Sequence, residues 1–270
     1  MYNYYLFPPS YKDSMLEDVE INLKTLNTLI EIESDALDTF LYDAEFLSTI
    51  IDGNVEMYRA IFELLPDKQF RMAILPKLLS HLTWCGEHFN SVEKLAAKYP
   101  NKLNALWGIR DTTQCANFLN TIEAYNKYRE QTLEMIAPIQ LMKHKALFLK
   151  NLVIIGEAEE QIIAYGYGNI YKQIIRHLKK LDVFIQEHWQ VGSFNLESLK
   201  IYSGLDASDE SDSVKKNEHL KRLRYFKLPE LGARFCYYHI KFSDIRVHFY
   251  PDESSNRVFV AYVGKHLPLG

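Results

Sequence analysis

The spacing of apolar positions changes along the chain, from a helical period in most of the sequence to an alternating one near its end. Between Leu16 and Ile30, apolar residues recur every three or four positions, which predicts an amphipathic helix. Ser14 and Glu17 have the spacing of a capping box at its start. Similar patterns predict further helices at about 36–51, 55–65, 70–99, 112–135, 138–155, 157–165 and 168–189.

The segment 204–213 differs from the helical sequence that precedes it. Its residues, GLDASDESDS, are acidic, rich in serine and almost without apolar side chains, which predicts a solvated linker. A short basic helix is predicted over 214–225. We therefore expect an α+β fold with a large α-helical domain over 1–203, an acidic linker, and a basic antiparallel β-sheet module over 214–270 packed on the basic helix.

A β-hairpin is predicted from the alternation in Phe235–Tyr250, FCYYHIKFSDIRVHFY. A two-residue turn at Ser243-Asp244 places Phe242 opposite Ile245 and thereby fixes every other pair. One face is then apolar, with Phe242/Ile245, Ile240/Val247 and Tyr238/Phe249. The other face is polar, with Lys241/Arg246, His239/His248 and Tyr237/Tyr250. A third strand is predicted over 257–263, with Val258, Val260 and Tyr262 on the apolar face.

Composition and charge narrow the class of protein. The chain is 47% hydrophobic and 24% charged, as in globular proteins. Three separated cysteines, the absence of a signal-peptide pattern and the lack of a long apolar run predict a cytoplasmic protein without a membrane partner. From Lys215 onward, 11 Lys and Arg face 5 Asp and Glu, a charge of +6, so the preceding 214 residues carry −10. The basic end favours an anionic partner, although the two regions could instead dock on each other.

The polar hairpin face carries the groups that RNA cleavage requires. A lysine opposite an arginine is unfavourable unless an anion lies between them. Attack by the RNA 2′-hydroxyl needs a base, an acid and cations that stabilise the phosphorane. His239 and His248 could be the base and the acid, and Lys241 and Arg246 the cations. Tyr250 or Tyr237 could position the nucleotide or share in proton transfer. No metal or cofactor is required.

The basic module resembles the RelE/ParE-type small toxins, which include ribosome-dependent mRNA-cleaving enzymes. The similarity lies in the basic helix, the HIK and RVHFY strands and the closing VFVAYVGKH strand, within about 214–270. It implies metal-free catalysis by Lys241, Arg246, His248 and Tyr250. Because members of that family are usually single small domains, the long preceding region is expected to sense, tether or inhibit.

The predicted function is therefore a metal-independent ribonuclease of toxin or antiviral-defence type. Its expected partners are RNA, including ribosome-associated RNA, and a protein partner or inhibitor that binds through the helical domain. Five further residues are predicted to bind nucleic acid: Tyr237, Arg222, Arg224, Lys265 and His266. The alternatives are a binding module without catalysis, for nucleic acid or an acidic protein, a subunit whose helical region does the work, and an ordinary solvated sheet face.

Two sets of side chains are weaker candidates for metal ligands. His81, Cys85 and His88 follow one another at i, i+4 and i+7, which on a helix would place them on one face and allow zinc binding. Their apolar neighbours favour a core position instead. His239, His248 and His266 could also converge, but no carboxylate is evident beside them. The sequence therefore predicts no metal.

Overall fold

The computed structural model describes residues 1–189 and 192–268. The chain divides into two compact units, Met1–Thr132 and Leu133–Gly270, and each unit contains its own five-stranded sheet. Within the described residues, no helix combines the length and the apolar character needed to cross a membrane.

The first unit is built around a parallel sheet. Its strands are β1 (Tyr2–Leu6), β2 (Asp38–Tyr42), β3 (Ile50–Ile51), β4 (Val55–Glu56), β5 (Leu82–Trp84), β6 (Leu103–Trp107) and β7 (Phe118–Leu119). Its α-helices are α1 (Leu16–Thr28), α2 (Ala44–Ser48), α3 (Met57–Arg59), α4 (Leu75–His81), α5 (Val92–Lys98) and α6 (Ile122–Thr132), with a 3-10 turn at Pro8–Ser10 and π-helical turns at Leu29–Glu33, Ala60–Leu64 and Phe70–Ile74. The sheet order is β5-β2-β1-β6-β7, and every pair is parallel.

Strand β1 lies at the centre of this sheet, next to the point where the order of the strands along the chain reverses. All five of its residues are buried, as expected of a parallel strand that is covered on both faces. The chain order reverses between β1 and β6, which is where open α/β sheets commonly bind ligands. Here the Ser10 side chain occupies the space beside Gly108, which directly follows β6. A Cβ added to Gly108 would lie only 1.8 Å from Ser10 Oγ.

The expected α-helical domain over 1–203 is wrong, because the first unit is an α/β structure with a parallel sheet. The segment predicted as a helix over 36–51 forms β2, α2 and β3. Short apolar runs in strands that are buried on both faces lack the alternation that distinguishes a strand from a buried helix. The sequence pattern therefore could not reveal this sheet.

The second unit contains a mixed sheet. Its strands are β8 (Leu152–Ile154), β9 (Ala207–Ser208), β10 (Tyr225–Leu228), β11 (Gly232–Phe235), β12 (Tyr238–Phe242), β13 (Ile245–Asp252) and β14 (Arg257–Lys265). Its helices are a 3-10 turn at Leu133–Met135 and α7 (Pro138–Lys143), α8 (Lys145–Phe148), α9 (Gly156–Ala164), α10 (Asn169–His188), α11 (Leu196–Ser203), α12 (Asp212–Lys216) and α13 (Glu218–Arg222). The sheet order is β8-β14-β13-β12-β9, with β8 parallel to β14 and the other pairs antiparallel. The expected purely antiparallel sheet is therefore also wrong.

The residues of the predicted linker belong to the second unit. Strand β9 pairs with β12 through Ala207 opposite Ile240 and Ser208 opposite His239. Glu210 is buried, and α12 begins at Asp212. The basic helix predicted over 214–225 is instead two short helices, α12 and α13, followed by β10.

Five of the six predicted hairpin pairs are confirmed. Strands β12 and β13 meet at Ser243-Asp244, with Phe242 opposite Ile245 and four further pairs in the expected register. The predicted pair Tyr237/Tyr250 does not form, because β12 begins at Tyr238. The third strand differs in one detail. An irregularity between His248 and Phe249 places Tyr262 opposite His248, so Tyr262 lies on the polar face and not on the apolar one.

Candidate functional site

Lys241 and Arg246, which we call the basic pair, lie directly opposite each other on β12 and β13. Both side chains are half-buried. Arg246 donates from Nη1 to the Ile245 carbonyl at 2.9 Å, while its buried Nε has no hydrogen-bond partner. Within residues 1–189 and 192–268, neither cation forms an ion pair, so no described carboxylate neutralises the two adjacent positive charges.

Beside the basic pair lies a buried group that we call the His–Glu cluster: Glu210, His239 and His248. The Nδ1 atoms of both histidines lie 3.8 Å from Glu210 Oε1. The same oxygen accepts a hydrogen bond from Arg224 Nε at 2.7 Å. Arg224 is fully buried, and the three cluster members are 6%, 5% and 1% exposed respectively. The two histidines are therefore shielded from solvent and do not lie on an open face of the sheet.

Burial also sets the charge state of the two histidines. Desolvation, reinforced by Lys241 and Arg246, lowers the pKa of His239 to about 4. Desolvation, reinforced by His239, lowers the pKa of His248 to about 3. Both imidazoles are therefore neutral near pH 7, and neither is a ready proton donor.

The predicted tyrosines lie at the far end of the hairpin from the basic pair. Tyr237 and Tyr250 line a cavity of about 320 Å³ that also contains two acidic side chains, Asp252 and Glu253. Burial raises the pKa of Tyr237 to about 12. Since Tyr237 and Lys241 are four positions apart, the two groups are roughly 13 Å from each other along the strand. The structure does not bring Tyr250 next to the basic pair.

The other residues predicted to bind nucleic acid fall into two groups. Arg222, Lys265 and His266 are exposed and remain accessible to a partner. Arg224 is fully buried, and besides Glu210 it donates to the carbonyls of Leu220 and Pro268. Its burial and its three hydrogen bonds to protein acceptors argue against contact with RNA.

The sequence missed a second polar group, which we call the Asp–His cluster: Asp43, Glu45 and His88 in the first unit. His88 Nδ1 lies 3.1 Å from Asp43 Oδ2 and 2.6 Å from Glu45 Oε2. Asp43 also accepts from the Tyr5 hydroxyl at 2.5 Å and caps α2 through Phe46 N at 3.0 Å. Asp43 directly follows β2, at the carboxyl edge of the sheet, where α/β proteins place functional groups.

The spacing of His81, Cys85 and His88 does not reflect one helix face. His81 ends α4, Cys85 follows β5, and His88 lies in the loop beyond it. Recognising β2 as a parallel strand would have indicated Asp43 as a residue at its carboxyl end. Because residues 36–51 were predicted to be helical, the position of Asp43 at the end of a strand was not recognised.

No protein-family model, no curated protein and no solved structure matches this chain. The resemblance of the C-terminal segment to RelE/ParE-type toxins therefore stays a prediction. Functional inference depends on the geometry of the chain itself.

Proposed function

We propose that the second unit binds RNA through the basic pair, without acid–base catalysis by the histidines. The observation that carries this proposal is the pair itself: Lys241 and Arg246 lie opposite each other and half-buried, and neither forms an ion pair with a carboxylate among the described residues. Like charges across an antiparallel pair destabilise the sheet. A bound phosphate would reverse that repulsion.

The geometry of the two side chains suits a phosphate group. Arginine offers several N–H donors in a planar fork and lysine a compact charge, a combination that recognises phosphate oxygens. The buried Nε of Arg246 still has a free donor. Partial burial strengthens its attraction for an anion because the local dielectric constant is lower than that of water.

Several nearby groups favour a nucleic acid over free phosphate. His266 follows the end of β14, is exposed and lies close enough to His239 to lower its pKa. Lys265 is also exposed, but it is paired with Ile245 and therefore belongs to the face opposite Arg246. The aromatic rings of Tyr237 and Tyr250 lie about 13 Å further along the hairpin, where bases of a single strand could stack. This surface corresponds to the binding module without catalysis that the sequence left open.

Ribonuclease activity is the second candidate, with His239, Lys241, Arg246, His248 and Tyr250 in the catalytic roles. It is favoured by the proximity of the basic pair to His239, whose pKa the two cations depress. Against it, both imidazoles are buried, and Tyr250 lies at the far end of the hairpin. An RNA phosphate could reach His239 only if the cover formed around Glu210 and Arg224 opened.

The test is the affinity of the full chain for a fluorescently labelled single-stranded RNA, measured by anisotropy at several salt concentrations. We expect Arg246→Ala and Lys241→Ala each to weaken binding roughly tenfold or more, as for the loss of one charged hydrogen bond. Each should also reduce the salt dependence by about one counterion. Lys227→Ala is the matched control, because Lys227 is an exposed strand lysine opposite Ala233.

Equal affinity of the wild type and both variants would contradict the proposal. The same samples, incubated with a chelator and analysed on a denaturing gel, distinguish the two candidates. Intact RNA supports binding alone, whereas cleavage that His248→Ala abolishes supports the ribonuclease.

A further inference from the structure

The His–Glu cluster contains a buried nitrogen that no protein group satisfies. His239 Nδ1 has no hydrogen-bond partner, although the residue is only 5% exposed. It is directed toward Glu210 Oε1 at 3.8 Å, and His248 Nδ1 lies at the same distance from that oxygen. Hydrogen bonds from nitrogen to oxygen are about 2.7–3.2 Å long, so neither contact is one.

We propose that Glu210, His239 and His248 bind one divalent transition-metal ion. Their ligand atoms all lie within 4.8 Å of one another. Two ligands at about 2.1 Å from a tetrahedral zinc ion lie roughly 3.4 Å apart. The observed 3.8 Å separations are too long for hydrogen bonds but need only a small contraction to place an ion between the three groups.

The surrounding contacts hold two of the ligands in suitable orientations. Ser208 Oγ lies 3.1 Å from His239 Nε2, so a proton on Nε2 leaves Nδ1 free for the metal. Arg224 Nε fixes the Glu210 carboxylate at 2.7 Å. His248 Nδ1 has one competing contact, a long one of 3.3 Å to the Cys236 carbonyl, which metal binding replaces.

The donor set and the local charge define the kind of ion. Two imidazoles and one carboxylate suit zinc and neighbouring first-row metals better than magnesium or calcium, which prefer oxygen ligands. Arg224, Lys241 and Arg246 oppose a divalent cation, and Glu210 offsets only one positive charge. The site therefore binds its ion less tightly than structural zinc sites with thiolate ligands.

The ion joins three segments of the second unit: the loop after β9, which carries Glu210, and the strands β12 and β13. All three ligands are buried, so the site is closed and its ion stabilises the fold. Metal binding does not depend on whether the basic pair binds RNA.

The experiment uses the full chain after treatment with a chelator and dialysis. Zinc is titrated in competition with a chromophoric chelator, and cobalt is added separately to observe its visible absorption bands. We expect one ion per chain in the wild type, an increase in melting temperature on zinc addition, and loss of both in His239→Ala. Ser208→Ala, which removes no ligand, should weaken binding about tenfold.

His239→Ala should fold without metal, because it removes one contact, between Nε2 and Ser208 Oγ, while the Nδ1 atom that it removes has no partner in the metal-free protein. Its circular dichroism spectrum and metal-free melting temperature check this. His88→Ala is the matched control, since His88 belongs to the Asp–His cluster in the other unit. Absence of zinc binding, equal binding by His239→Ala, or loss of binding only in His88→Ala would overturn the proposal.

Discussion

The two units each contain a cluster of histidine and carboxylate side chains, but the two clusters are satisfied in different ways. In the Asp–His cluster, His88 Nδ1 contacts both carboxylates at 3.1 and 2.6 Å. In the His–Glu cluster, the single carboxylate is bound by Arg224, and the histidine nitrogens remain 3.8 Å away. Similar residue types therefore form a network of close polar contacts in one unit and an open set of ligands in the other.

The two clusters also differ in burial, which determines how much an unpartnered polar group costs in stability. The side chains of His88 and Glu45 are 35% and 56% exposed, so water can complete their hydrogen bonds. The side chains of Arg224 and Glu210 are 0% and 4% exposed, and water has little access to the histidines beside them. A polar group that lacks a partner is costly only in the second environment.

The largest expected effect on stability comes from removing one carboxylate from each cluster, Glu210 in the His–Glu cluster and Glu45 in the Asp–His cluster. Glu210→Ala leaves Arg224 buried without its ion-pair partner, which should reduce the free energy of unfolding by about 3–5 kcal/mol. Glu45→Ala removes an exposed partner and should cost less than about 1 kcal/mol. Urea denaturation of the full chain in the presence of a chelator measures both values without a contribution from bound metal.

A double variant sharpens this test. Replacing both charges, in Glu210→Leu with Arg224→Met, should recover much of the loss, because buried ion pairs can often be exchanged for apolar side chains of similar size. Equal effects of Glu210→Ala and Glu45→Ala would show that burial does not distinguish the two clusters.

The sequence predicted one side of this comparison better than the other. The alternation in FCYYHIKF and IRVHFY predicted every β12–β13 pair, because one face of that hairpin is apolar and the other polar. It thereby placed His239 opposite His248 and Lys241 opposite Arg246. It could not place Tyr262, because the irregularity after His248 adds a residue to the pairing and has no marker in the sequence.

The remaining parts of both sites depended on contacts that are distant in sequence. Glu210 lies in an acidic, serine-rich segment that resembles solvated loops. Its position is explained by the buried guanidinium of Arg224 and by the hydrogen bond from its own backbone N–H to the Tyr237 carbonyl. Asp43 was hidden because β2, with the sequence DTFLY, lacks a period that separates it from a helix. Tertiary pairing, and not local pattern, determines both placements.

A half-buried histidine outside both clusters, which has no ion pair with a carboxylate of the described residues, gives an intermediate effect. The ring of His177 in α10 stacks on Phe242 at 4.1 Å. Desolvation lowers its pKa, which Lys180 and Arg176 depress further, while its contact with the Gln173 carbonyl raises it. The unfolded chain therefore binds a proton more readily than the native protein, and stability falls as the pH decreases below about 6.5.

His177→Gln should remove that component of the pH dependence. The expected result is a smaller loss of unfolding free energy between pH 7.5 and 5 in the variant than in the wild type, measured by urea denaturation in the presence of a chelator. His88→Gln is the comparison variant, because His88 has two carboxylates within hydrogen-bonding distance. An unchanged pH profile in His177→Gln would contradict the assignment.

The smallest expected effect on stability concerns the basic pair, which forms no ion pair with a carboxylate of the described residues. Because Lys241 and Arg246 repel each other across the two strands, Lys241→Thr should raise the free energy of unfolding in the absence of RNA by about 0.2–1 kcal/mol. The same substitution should weaken RNA binding, so stability and affinity change in opposite directions. Lys227→Thr, opposite Ala233, should change neither. Loss of stability in Lys241→Thr would mean that the pair is already neutralised within the protein, which would remove its demand for a bound anion.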